Sequence, residues 1–252
     1  MTNEAERSAL LRRAERLLGQ RTIATRRGPA TCERAAGEPS DLGALYAMSD
    51  GLELSDGTRL LGRAEVPPAT TWLTSEKALE WPADLWVVGE RDDLVIVLDL
   101  DLAGARAGGG ILEAATDELT GLRRVALTAL TYLEEHAGLS PGGPPAPERA
   151  VRDAVDRRDA SAIEAALTAG FYPGAEREAW HGGLTLGSLR AAAGDEPAAL
   201  LAFSSAVEAR ANAAPRGSAS RERAQAWKAC AIAADKAGAG RLAIECRARA
   251  TG

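Results

Sequence analysis

The segment Ser140-Pro141-Gly142-Gly143-Pro144-Pro145-Ala146-Pro147 constrains this chain more than any other. Proline lacks the N–H that helix and sheet need, and glycine adds backbone freedom, so neither element continues through it. The segment separates two stretches of different period. Before it, apolar residues shift between helical and strand spacing; after it, the spacing is helical throughout. In a chain of 252 residues this predicts two domains, an α+β domain over 1–139 and an all-α domain over 148–252, joined by a linker at 140–147.

The first half is organised around Leu42 to Gly62. Leu42, Leu45 and Tyr46 share one helical face, and Ser49-Asp50-Gly51 is the expected helix stop. Leu52, Leu54 and Leu60-Leu61 flank the turn Ser55-Asp56-Gly57-Thr58, an Asp-Gly hairpin signal. Before this stretch, residues 4–19 read as an amphipathic helix. Its arginines are diluted by Glu4, Glu6 and Glu15, which favours docking on the domain over lying on a membrane. The segment from Arg26 to Ser40 reads as loop.

After the hairpin, Val66-Pro67-Pro68 is expected to break the pattern. Thr70 to Leu73 would then be extended, and Glu76 to Glu80 a short helix. Trp86-Val87-Val88, the polar turn Glu90-Arg91-Asp92-Asp93 and Leu94 to Leu98 form the strongest strand signal. The last run fits a strand buried on both faces. Gly108-Gly109-Gly110 turns into a strand over Ile111 to Ala115. Leu122, Val125, Ala126, Ala129, Leu130 and Leu133 repeat at helical spacing up to Gly138, predicting one closing helix. Beyond the linker, three helix pairs are expected: 148–156 with 161–169, 180–193 with 197–211, and 221–237 with 241–250.

Composition limits the function classes. The net charge of −6 is uneven: residues 1–140 carry 15 Lys and Arg against 23 Asp and Glu, and residues 141–252 carry 15 against 13. A negative first half disfavours nucleic acid and attracts a basic protein partner, and it also serves solubility. The three scattered cysteines, Cys32, Cys230 and Cys246, argue against a disulfide framework or zinc site and suit a reducing cytoplasm. The N-terminus is too charged for a signal peptide, and no apolar run approaches a membrane span. No cofactor is expected. Gly238-Ala239-Gly240-Arg241-Leu242-Ala243 spells a dinucleotide fingerprint, but a predicted helix precedes it where that motif needs a strand. His136 and His181 lack a Ser or Cys motif beside them, so no catalytic residue is assigned. Trp72, Trp81 and Trp86 are expected to pack near the sheet.

Two families share these patterns. Leu186-Gly187, Gly194-Asp195, Ala199, Phe203 and Ala206 resemble the tetratricopeptide signature, and Trp227, Ala231, Gly238, Ala243 and Ala250 repeat the spacing. Arg190 and Arg247 stand where that family is usually aromatic or apolar. The resemblance implies stacked antiparallel helix pairs with a concave face for a partner. The first half resembles the SUKH superfamily, through Leu42-Gly43-Ala44-Leu45-Tyr46, Ser49-Asp50-Gly51, Asp56-Gly57-Thr58, Trp86-Val87-Val88-Gly89, the Leu94 to Asp101 strand and the closing Val125 to Leu133 helix. That resemblance implies a twisted, mainly antiparallel sheet flanked by helices, and a non-enzymatic protein of immunity type that neutralises a toxin, often a nuclease, by holding it. On this reading the candidate partner-binding residues are Glu53, Asp56, Asp92, Asp93, Asp99 and Asp101, carboxylates on a sheet rim that would meet a basic toxin surface. The same four aspartates around Leu94 to Leu98 match no calcium-loop spacing, and no metal is assigned to them. A scaffold whose helical repeats recognise a peptide is the alternative.

Overall fold

The computed structural model describes residues 4–77, 83–104, 108–115 and 122–251. The chain divides into two units, Met1–Ala146 and Pro147–Gly252.

In the first unit, helix α1 (Glu4–Leu18) precedes strand β1 (Ile23–Arg26) and helix α2 (Ser40–Tyr46). Strands β2 (Leu52–Leu54) and β3 (Arg59–Leu60) form the hairpin that Asp56-Gly57 predicts. Helix α3 (Val66–Lys77) leads to β4 (Leu85–Arg91), β5 (Leu94–Asp99), β6 (Gly110–Ala115) and β7 (Arg123–Ala126), and α4 (Ala129–His136) closes the unit. Among the described residues, seven strands form one antiparallel sheet in sequence order, so each strand pairs with the one before it in the chain. The long β4–β5 and β5–β6 ladders form its centre. Val95, Ile96, Val97 and Leu98 are all buried, as a strand covered on both faces requires.

Three sequence expectations for this unit give way. Pro67 and Pro68 start α3 instead of breaking the chain, so Thr70 to Leu73 is helical and not extended. The first turn of a helix has N–H groups without intrahelical partners, and proline loses nothing there. The expected helix over Glu76 to Glu80 falls partly on α3 and partly outside the described residues, as does Trp81.

The single closing helix is two elements. Arg123–Ala126 pairs with β6 in the register Ile111↔Ala126, Leu112↔Arg124 and Glu113↔Arg123, and only then does α4 begin. The Thr128 side chain caps it by accepting from the Thr131 N–H at 3.1 Å. Gly138, at φ +74°, stops it as predicted. The third difference lies before α2, where the loop expected from Arg26 follows a strand, β1, whose four largely exposed residues, Ile23 to Arg26, gave no strand pattern.

The linker is not a free spacer. The Gly142 N–H donates to Glu134 Oε2 at 2.7 Å, and Arg16 Nη2 donates to the Ser140 carbonyl at 3.0 Å, so its first residues are tied to α4 and α1.

In the second unit the elements are α5 (Pro147–Arg157), α6 (Ala160–Thr168), α7 (Glu176–Ala192), α8 (Glu196–Asn212), α9 (Ala219–Lys236) and α10 (Gly240–Arg249). Helices α5 and α6, α7 and α8, and α9 and α10 pack as pairs, and each pair packs on the next. Asp159 and Asp195 cap α6 and α8 from their side chains. The core between the last two pairs is built on Phe203, Val207, Ala226, Ala231, Ala243 and Trp227. Its small residues let the helices approach closely, and Gly187 meets the Phe203 ring.

Candidate interaction surface at the hairpin tips

The antiparallel order brings the β2–β3 and β4–β5 turns to the same end of the sheet. Both turns carry carboxylates because Asp accepts its own turn N–H groups and tolerates unusual backbone. Asp56 Oδ1 accepts from the Thr58 N–H at 2.9 Å. Asp92 sits in the left-handed region at φ +51°. The tips are neighbours: Asp92 Oδ1 is 3.8 Å from where a side chain on Gly57 would begin. Asp56, Asp92 and Asp93 are exposed there.

A polar network anchors this end. His136, the last residue of α4, places Nδ1 2.8 Å from Asp56 Oδ2. Arg91 Nη1 lies 3.0 Å from His136 Nε2, and Arg91 Nη2 pairs with Glu113 Oε1 at 2.9 Å. The Tyr132 hydroxyl donates to the same Glu113 oxygen at 2.8 Å, and its ring lies 4.4 Å from the imidazole. One consistent proton arrangement has Nδ1–H donating to Asp56 and Nε2 accepting from Arg91. Partial burial pushes the Asp56 carboxyl up, but the Thr58 N–H and His136 outweigh it and hold the carboxyl below its ordinary value. Burial, then the charge of Glu113, pushes the Tyr132 phenol well above its ordinary value, so it remains a proton donor.

Beside the tips lies a cleft of about 540 Å3 over β1 to β4. Thr25, Glu53, Arg59 and Glu90 are directly paired across the strands there. Its lining includes Glu53, Glu90 and Asp92, but also Arg26, Arg27 and Arg59. Glu65 ties two of these down: Arg27 reaches it through both Nη atoms at 2.9 and 3.1 Å, and Arg59 Nη2 at 3.1 Å. Arg27 is the main reason the Glu65 carboxyl is held below its ordinary value. Arg59 Nη1 also donates to Glu90 at 2.8 Å. The cleft is therefore balanced in charge and the tips beside it are acidic.

The six carboxylates singled out from the sequence do not form one rim. Glu53, Asp56, Asp92 and Asp93 gather at or beside the tips. Asp99 and Asp101 lie at the opposite end of β5. Asp99 is only 3% exposed and accepts from the Asp101 N–H at 2.8 Å, so it is not a solvated rim residue. Asp101 Oδ2 accepts from the Gly108 N–H at 2.9 Å. Both carboxylates build the β5–β6 connection, which the buried Arg124 completes by donating to the Gly109 carbonyl at 3.1 Å. Sequence reasoning missed the three arginines of the cleft and the Asp56–His136 link. The sole signal for the latter was a histidine at a helix end, and its partner lies 80 positions away.

Among the described residues, no group of three His, Cys, Asp or Glu is placed to hold a metal ion. Among them, too, no helix is long and apolar enough to cross a membrane. The motif at Gly238 to Ala243 spans the end of the turn between α9 and α10 and the first residues of α10. Trp72 is 59% exposed on α3 and not packed as expected, and Trp86 is half-buried. Comparison with family models, curated proteins and solved structures found no match to this chain.

Proposed function

We propose that this protein is a non-enzymatic binding module that holds another protein through the acidic hairpin tips of its first unit. In the SUKH-like reading the held protein is a toxin with a basic surface. The observation that carries the proposal is the fixed adjacency of two exposed acidic turns, Asp56 in one and Asp92-Asp93 in the other, on a network running from Asp56 through His136 and Arg91 to Glu113. Rigid, like-charged groups steer a basic partner into place and speed association more than they deepen affinity. The charge-balanced cleft next to them suits a partner surface of mixed sign, with Glu53 and Arg26 in its lining.

Asp92→Asn/Asp93→Asn tests this while leaving the left-handed turn tolerable, because asparagine also adopts it. Against the product of an adjacent gene, captured by co-purification, the double variant is expected to slow association about tenfold at low salt. The difference should shrink at high salt. An unchanged association rate, or no partner among neighbouring gene products, counts against the proposal.

A second reading has its own observation. Leu201 on α8 is 70% exposed, at a cleft of about 350 Å3 that Leu167, Phe171 and Leu186 also line. In this reading the helical pairs are tetratricopeptide-like and recognise a peptide, and the first unit is accessory. Leu201→Glu separates the two, since only the scaffold reading then loses its partner.

A further inference from the structure

A second cavity, of about 300 Å3, opens in the first unit between α2, α3 and β4. Short side chains leave it unfilled: Ala35, Ala83, Pro67, Thr70 and Thr71 stand where larger groups would close it. Its larger walls are Leu42, Tyr46, Val66 and Trp86. The engineered cavity that holds benzene is about 150 Å3, so the space here admits a substituted ring.

The walls are fixed before any ligand arrives. The buried Tyr46 hydroxyl donates to the Leu61 carbonyl at 3.0 Å. Thr70 Oγ1 donates to the Val66 carbonyl and accepts from the Val87 N–H, both at 2.9 Å, joining α3 to β4. Thr71 Oγ1 donates to the Pro67 carbonyl at 2.9 Å. These hydroxyl protons are therefore committed within the protein.

Two lining groups are charged, Arg63 and Glu38. Arg63 lies over the Tyr46 ring, 5.0 Å from its centroid. Its Nε and Nη2 donate to the two oxygens of Glu38 at 2.9 and 3.0 Å, and Nη1 donates to the Cys32 carbonyl at 2.9 Å. Glu38 is itself buried and also pairs with Arg34 at 3.3 Å. A guanidinium has five N–H donors, so two of those on Arg63 remain for an acceptor. The side chain is held in place, and only 14% exposed, at the wall of a mainly apolar cavity that Glu38 also lines, the Glu38 oxygens being taken up by Arg63 and Arg34.

We propose that this cavity is a binding site for a small planar molecule with an apolar ring and an acceptor oxygen at one end, a carboxylate or an amide carbonyl. The ring fills the space between Leu42, Val66 and Trp86, and the oxygen accepts from Arg63. Mainly apolar walls with a few oriented polar groups are the usual make-up of a small-molecule site.

The test uses the full chain and three probes of similar size: benzamide, benzoate and benzylamine. Binding is read from the Trp86 indole N–H resonance, assigned with Trp86→Phe. Benzamide or benzoate is expected to shift this signal saturably at millimolar concentration, with the preferred one telling a neutral from an anionic ligand. Benzylamine, which offers no oxygen, is expected to bind at least tenfold more weakly. Ala35→Phe and Ala83→Phe place a ring at the exposed mouth of the cavity, and either one that retains the wild-type circular dichroism should cut binding at least tenfold. Absence of saturable binding by both oxygen-bearing probes overturns the site. Binding that persists in the plugged variants does the same. Equal binding of benzylamine overturns the donor role of Arg63.

Discussion

Glu134 of α4 accepts two hydrogen bonds from Arg13 of α1, from Nε at 3.2 Å and Nη2 at 2.7 Å, with its side chain wholly buried. Arg16 Nη2 adds a third at 2.8 Å and the Gly142 N–H a fourth at 2.7 Å. One carboxylate thus joins the first helix, the last helix of the unit and the start of the linker. Removing it leaves Arg13, itself largely buried, without its counter-charge. Glu134→Ala is expected to cost about 3 kcal/mol, the low end for a broken buried pair, because the half-exposed Arg16 turns to water instead. Urea unfolding followed by circular dichroism measures the loss, and a change below about 1 kcal/mol would show the clamp to be incidental.

The same group sets an acid limb to stability. Burial pushes the Glu134 carboxyl up, but Arg13, the Gly142 N–H and Arg16 prevail and hold it below the ordinary value of 4.5. The unfolded chain then takes up this proton at a higher pH than the native chain does. The stabilisation is complete above about pH 5 and is lost as pH falls through the native value below 4.5. Glu134→Gln has no such proton to gain. Its stability deficit against the wild type should be largest near neutral pH and shrink between pH 4.5 and 2. A deficit constant with pH would place the cause elsewhere.

This clamp was invisible in the sequence, since Arg13 and Glu134 are 121 positions apart and each reads as an ordinary surface charge. What was legible was local. Asp56-Gly57 announced its hairpin, Leu94 to Leu98 its buried strand, and the helical spacing after the linker all six helices to within a few residues. Where a pattern served two structures, the period alone misled. Leu122 to Leu133 fits one helix, yet Arg123–Ala126 pairs with β6 because its backbone completes the sheet edge and Arg124 is buried beneath the glycine turn. At the candidate surface, the acidic turns were legible because turn chemistry is local. Arg26, Arg27, Arg59 and His136 join them only through strand order, which spacing does not encode. Asp99 read as a rim residue because a carboxylate at a strand end looks the same whether it faces water or a turn N–H.

In the second unit, Gly187 of α7 should resist a substitution that helices normally welcome. Alanine for glycine within a helix gains about 1 kcal/mol from backbone entropy. Here the added methyl would fall on the ring of Phe203, which is wholly buried in the core between the last two helix pairs. Overpacking costs about 1–3 kcal/mol and reverses the sign. Gly187→Ala is expected to lower the thermal midpoint, whereas Gly240→Ala, with open space around it and at the first residue of α10, where the interior helix gain does not apply in full, should change stability by no more than about 0.5 kcal/mol. Equal midpoints for the two variants would mean that Phe203 moves aside freely.

The contact between Asp56 and His136 fixes the β2–β3 tip to the end of α4, and its strength decides how rigidly the acidic surface is presented. Asp56 is 37% exposed in its side chain, so water screens the pair, and a double-mutant cycle is expected to give a coupling of about 0.5–1 kcal/mol. Asp56→Asn and His136→Phe are the single changes, with unfolding free energies measured at pH 7. His136→Phe keeps a ring against Tyr132, so the stacking contact at 4.4 Å is largely retained while the hydrogen bonds are lost. Amide exchange at the tip then supplies the readout that stability alone does not. If the link orders the turn, exchange at Gly57 and Thr58 rises in both single variants and no further in the double. No rise in the His136→Phe variant would mean that Asp56 holds the turn through the Thr58 N–H alone, and that α4 contributes nothing to the surface.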